Sequence, residues 1–169
     1  VKRLAARKGE IRFACDAMMG ALARWLRAAG YDCFWQEGID DTELVELAKR
    51  EGMILLSADS GIFQRNAVIM GEVKAIYVLR DLPREKQVAY VLRTFDLHRL
   101  RPRCMVCGGK LATIDVETAR RFVPKRAFEN YHEFYRCSRC EKIYWQGTHW
   151  LSIDRRLKKL GLEIHDNSI

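Results

Sequence analysis

"ILLSADSG", residues 54–61, runs from three consecutive apolar residues into an aspartate. Ile54, Leu55 and Leu56 offer no polar face, the pattern of a strand covered on both sides within a parallel sheet. Asp59 then falls where that strand ends, on the edge at which open parallel sheets bind ligands. Both fold and function turn on what else reaches that edge.

Working outward, residues 11–15 read as a short strand running into Asp16. Met18, Leu22, Trp25, Leu26 and Ala29 follow at helical spacing as one apolar face, with Gly30 placed as the C-terminal cap. Residues 31–35 form a second strand. Asp40-Asp41-Thr42-Glu43 reads as a capping box, Asp40 as N-cap and Glu43 reaching back, opening a helix with Leu44, Leu47 and Ala48 inward that ends near Gly52. Residues 53–57 are the third strand, 61–70 a short helix or turn, 73–79 a fourth strand, and 83–95 a helix with proline in its first turn. Such alternation predicts an α/β domain over residues 1–96, a parallel sheet flanked by helices with right-handed crossovers. The Arg-rich "LHRLRPR", residues 97–103, leads into a smaller second part, residues 97–169. A chain of 169 residues buries one core and a small satellite, not two large domains.

Asp16 follows strand one and Asp59 strand three, so both open onto the same sheet edge, and Asp41 starts the helix after strand two at that edge. Three carboxylates brought together repel one another unless a cation neutralises them. A hard divalent ion, Mg²⁺ or Mn²⁺, takes oxygen ligands and orients water for attack on a phosphodiester. The competing reading is that each aspartate caps a helix, the commonest task of Asp at such a position. Gly20, Arg24 and Arg27 follow Asp16 on one stripe of the first helix, where the arginines would hold a substrate phosphate or pair with a neighbouring carboxylate.

"CMVCGGK" and "CSRC" set Cys104 with Cys107 and Cys137 with Cys140. Two residues between thiolates let both reach one tetrahedral ion, so the reading is a structural Zn²⁺ ribbon, with a redox pair as the weaker alternative. Cys15 and Cys33 lie in or beside strands as buried thiols.

Charge is unevenly spread. Residues 1–96 hold 15 Lys and Arg against 14 Asp and Glu, residues 97–169 hold 15 against 8, so nearly all of the net +8 lies in the second part. There Arg120, Arg121, Lys125, Arg126, Arg136 and Arg139 interleave with Phe122, Phe128, Tyr131, Tyr135, Tyr144 and Trp145. Cations beside aromatic faces suit unpaired RNA, although a small ribbon also needs aromatics for its own core. His149 touches substrate or packs at the junction of the two parts. No stretch reaches the roughly twenty apolar residues that span a bilayer, and Val1-Lys2-Arg3-Leu4 opens no signal-peptide core. The expectation is a cytoplasmic protein with RNA, not a membrane, as partner.

With "FACDAMMGALARWLRAAGYD", "DDTELVELAKREGMILLSADS", the two knuckles and "YWQGTHW" in order, residues 11–152 resemble the Mut-seven C-terminal ribonuclease family. The resemblance implies a PIN-like domain followed by a zinc ribbon, and a metal-dependent ribonuclease with Asp16, Asp41 and Asp59 as Mg²⁺ or Mn²⁺ ligands. Asp40 is the substitute for Asp41 if cap and ligand exchange. Glu43 and Asp81 are candidates for the fourth acidic residue common in the wider PIN group. One departure stands out: the family's Thr-Arg-Asp is here Ser57-Ala58-Asp59, without the basic side chain. Rival readings are a non-catalytic RNA-binding module and a phosphoacceptor domain, the latter lacking a lysine after strand four.

Overall fold

The computed structural model describes residues 11–164. The basic N-terminal segment and the last five residues lie outside them. Four short strands, β1 (Arg12–Cys15), β2 (Asp32–Phe34), β3 (Ile54–Ser57) and β4 (Ala75–Tyr77), form an all-parallel sheet in the order β2-β1-β3-β4. The connecting helices are α1 (Gly20–Ala28), α2 (Asp41–Glu51), α3 (Asn66–Ile69) and α4 (Arg84–Thr94). The fold is thus the α/β class expected from the alternation.

Two apolar layers cover the sheet. Phe13, Cys15, Cys33 and Leu56 pack with Leu22 and Leu26 of α1 and Val88, Val91 and Leu92 of α4. On the other face Ala14 and Leu55 meet Leu44, Val45 and Ala48 of α2. Ala14, Leu55 and Leu56 are fully buried, which is why strand three carries no polar alternation.

One expectation about α1 is corrected. Met18 is 68% exposed and Met19 is buried in its place. A 3-10 turn, Ala17–Met19, intervenes before the helix, and its tighter winding shifts the register by a residue. At the far end Gly30 takes φ +99°, and a Cβ there would lie 2.5 Å from that of Leu100. The conformation and the close approach both require glycine.

The remaining chain forms an antiparallel sheet of β5 (Leu111–Ile114), β6 (Phe134–Cys137) and β7 (Ile143–Trp145). Helices α5 (Val116–Arg120) and α6 (Lys125–Asn130) fill the long connection from β5 to β6. Helix α7 (Thr148–Lys158) then crosses back to the first sheet. Its Ile153 and Leu157, with Leu162 beyond it, bury in the same layer as Phe13 and Leu92. Fully buried Arg99 contacts Asp154 of α7 at 2.7 Å, and Arg156 reaches Glu85 of α4 at 2.6 Å. None of the helices among the described residues is long and apolar enough to cross a membrane.

Candidate active site and metal centre

Asp16 leaves β1 as the N-cap of the 3-10 turn, its Oδ1 accepting from Met18 N at 2.8 Å. Its Oδ2 accepts from the hydroxyl of Ser57 at 2.6 Å, and only 6% of the residue is exposed. The same Ser57 oxygen accepts from the backbone of Asp59 at 2.9 Å, and Asp59 Oδ1 in turn accepts from Gly61 N at 2.8 Å. Ser57 therefore ties the ends of two neighbouring strands together. Sequence reading passed it over, though a serine closing an otherwise apolar strand was a visible signal.

Asp40 caps α2 through Thr42 N at 2.8 Å, and these Thr42 hydrogen bonds hold its carboxyl below the usual range. Asp41 is left free of the cap. Desolvation first, then the charges of Asp59 and Asp16, push its carboxyl up, against the lowering pull of Arg65. The three predicted carboxylates thus share one field at the carboxyl edge of the sheet. They do not converge into one tight cluster: among the described residues, the group whose ligand atoms all lie within 4.8 Å of one another is made of cysteines. Glu43 and Asp81 are exposed, with Asp81 beyond the end of β4.

A cation does stand at this edge. Arg65 places a guanidinium nitrogen 3.8 Å from Asp41 Oδ2 and another 3.4 Å from the Thr42 hydroxyl. Nothing in its local sequence marked it, because the contact spans two helices and a strand.

The two arginines of α1 part company. Arg24 is exposed. Arg27 is 3% exposed and donates to the Cys33 carbonyl at 2.9 Å and to those of Met105 and Val106 at 3.1 and 2.7 Å. This corrects the shared-stripe reading: Arg27 sits in the last turn of α1, toward the edge opposite Asp16, and its fork is spent on carbonyls that dock the first knuckle.

Cys104, Cys107, Cys137 and Cys140 converge as a metal site, with Sγ–Sγ separations of 3.5 Å for Cys104–Cys140 and 3.4 Å for Cys107–Cys137. Backbone amides point at the sulfurs, Cys107 N at Cys104 and both Arg139 N and Cys140 N at Cys137, at 3.4–3.5 Å. Burial raises the Cys104 thiol, yet the Tyr144 hydroxyl 3.1 Å away and the amides of Cys107 and Val106 bring it down to about 6. Burial pushes the neighbouring Cys107 thiol up to about 12, so the cluster holds its negative charge preferentially on Cys104. Four sulfur donors in a closed set are the chemistry of a structural zinc. Gly108, at φ +76°, leaves the knuckle where any Cβ would meet Asp32 Oδ1 at 2.8 Å.

Around the ribbon, Arg120 lies over the Phe128 ring at 5.2 Å and Phe122 is 63% exposed. Arg136 pairs with Glu141 at 2.7 Å, and Arg139 donates to the Cys107 carbonyl at 2.6 Å. His149 is exposed in the first turn of α7.

A parallel α/β domain with an acidic carboxyl edge, joined to a four-cysteine ribbon, is the class that fold and site define. The chain matches the family model described as Mut7-C RNAse domain over residues 11–157, and it belongs to that family. No curated protein and no solved structure gives a significant match.

Proposed function

We propose that this protein is a metal-dependent endoribonuclease that hydrolyses RNA phosphodiester bonds at Asp16, Asp41 and Asp59. The observation that carries the reading is the coupling of Asp41 to Asp59 and Asp16, three carboxylates from three loops sharing one sheet edge in a member of a ribonuclease family. Their oxygens are the donors, and their mutual repulsion the electrostatic demand, that Mg²⁺ or Mn²⁺ answers. When bound, such an ion supplies charge neutralisation and a water of lowered pKa.

The chain's own residues do the rest. Two hydrogen bonds hold Asp16, and the Gly61 amide holds Asp59. Arg65, beside Asp41, offers a planar fork to a phosphate and supplies the positive charge that Ala58 does not. Exposed Arg24 remains a substrate contact. Zn²⁺ on the four cysteines keeps the ribbon folded, and its exposed arginines and Phe122 aid RNA binding.

The test is cleavage of a mixed pool of structured and single-stranded RNAs in Mn²⁺, in Mg²⁺ and in EDTA, with an Asp16→Ala/Asp59→Ala double variant alongside. Metal-dependent cleavage lost in the variant is expected; equal cleavage by both proteins rejects the assignment.

A second reading draws on the same contacts. Asp16, Asp40 and Asp59 each accept from a backbone amide two residues on. A non-catalytic RNA-binding module needs no more of them than that. It predicts RNA binding without cleavage, weakened steeply by salt as phosphate contacts release counterions.

A further inference from the structure

Ser57 and Tyr77 are the last residues of β3 and β4, and they stand in register on these neighbouring strands. In-register residues of a parallel sheet project from the same face. That face is the one on which Leu55 and Ala75, each two residues earlier in its strand, pack toward α2. Tyr77 therefore stands beside the Ser57 hydroxyl that Asp16 and Asp59 share, on the side of the sheet from which Asp41 comes.

β4 is an edge strand of the sheet, and 46% of Tyr77 is exposed. Its ring is nevertheless supported: the Phe63 ring lies 5.7 Å away, tilted by 54°, within the range at which aromatic rings attract. Phe63 falls between Asp59 and Arg65, so one short segment supplies a carboxylate, the support for the Tyr77 ring and the cation beside Asp41. Two further large apolar side chains are exposed at this edge, Met18 two residues after Asp16 at 68% and Leu79 two residues beyond β4 at 56%. Carboxylates that serve only as helix caps have no use for such neighbours. A ligand that is anionic in one part and flat and apolar in another has a use for both.

We propose that Tyr77, supported by Phe63, is the platform on which the RNA base next to the cleaved phosphodiester stacks, so that the substrate is RNA unpaired at that position. It rests on the ribonuclease reading of the neighbouring carboxylates. Every base has a π-face, so the platform accepts any sequence, but a base inside a duplex has no free face to offer. The phosphate beside the stacked base then lies at the carboxylates and Arg65. A three-residue edge offers little to strand pairing, which sets RNA ahead of a second copy of the chain as the partner of this edge.

The experiment is fluorescence anisotropy of the full chain with a short single-stranded RNA, the same sequence as a duplex, and an abasic strand of equal length. Ca²⁺ in the buffer neutralises the carboxylates, and a gel checks that the strands stay intact. The wild type is expected to bind the single strand best. Tyr77→Leu, which keeps apolar bulk and removes the ring, should weaken that binding by roughly tenfold and leave the abasic strand unaffected. Its salt slope should stay that of the wild type, because stacking releases no counterions. Tyr77→Phe should bind as the wild type does, and circular dichroism checks that both variants fold. Undiminished affinity of Tyr77→Leu for the single strand, or an equal loss on the abasic strand, overturns the proposal. Loss of a dimer by Tyr77→Leu in sedimentation assigns the ring to a second copy and overturns it too. Wild-type cleavage in Mn²⁺ is followed separately. Cleavage with undiminished affinity in Tyr77→Leu removes the platform alone; a base-dependent loss of affinity without wild-type cleavage removes the nuclease reading alone.

Discussion

Ser57 of β3 donates its hydroxyl to Asp16 at the end of β1 over 2.6 Å, in a position with no solvent exposure. One short side chain thereby sets the rotamer of a carboxylate from the neighbouring strand and the turn that carries Asp59. Replacing Ser57 by alanine leaves a buried carboxylate oxygen short of a donor. The expected cost is about 1–3 kcal/mol in urea denaturation, together with reduced cleavage. An unchanged midpoint would show that the bond contributes nothing net.

Asp41 titrates above the ordinary aspartate value of 3.8, from desolvation and then from Asp59 and Asp16. For a carboxyl raised by folding, the stabilising contribution is fully present below that ordinary value and is lost as pH rises through the higher folded value. Asp41→Asn should therefore gain stability over wild type as pH is raised from 3.8 toward neutrality, in metal-free buffer, and show no such gain below it. Urea midpoints of both proteins across that range decide the matter.

Arg27 and Arg24 offer a paired comparison on one helix. Arg27→Ala strips charged donors from three carbonyls and should cost about 2–4 kcal/mol. Arg24→Ala, at an exposed position, should change stability by no more than ~0.5 kcal/mol. In cleavage assays the expected order reverses: among variants still folded at the assay temperature, Arg24→Ala loses more activity per folded molecule.

Metal analysis of the purified chain should return one zinc per chain, and Cys137→Ser should lose it. Because closed thiolate sites couple binding to folding, thiol-blocking reagents should release the metal and lower the melting temperature together. Release with an unchanged melting curve would show that the ribbon folds unaided.

Much of this was legible in the sequence because the signals were local. "ILLS" announces a doubly covered strand by having no polar face, and each Cys-x-x-Cys announces its knuckle by spacing alone. Asp40 and Asp41 could be sorted into cap and free carboxylate from their order before the helix. What escaped notice acts across distance in the chain: Ser57 on a residue 41 positions away, and Arg27 on carbonyls 78 and 79 positions on. No periodicity encodes such contacts. Met18 and Met19 were confused for a different reason, since both are methionines at one turn of helix and only the 3-10 winding decides which faces inward.

The return of α7 to the first sheet bears on how the protein is made. Ile153, Leu157 and Leu162 complete a layer whose other fully packed members lie before residue 93. A ribosome that has released the chain only as far as residue 100 has released a sheet with part of one face still bare. That face is sealed only once α7, which follows the ribbon in the chain, has been made. Deleting the chain after α4 would therefore remove a wall of the first core along with the four-cysteine site.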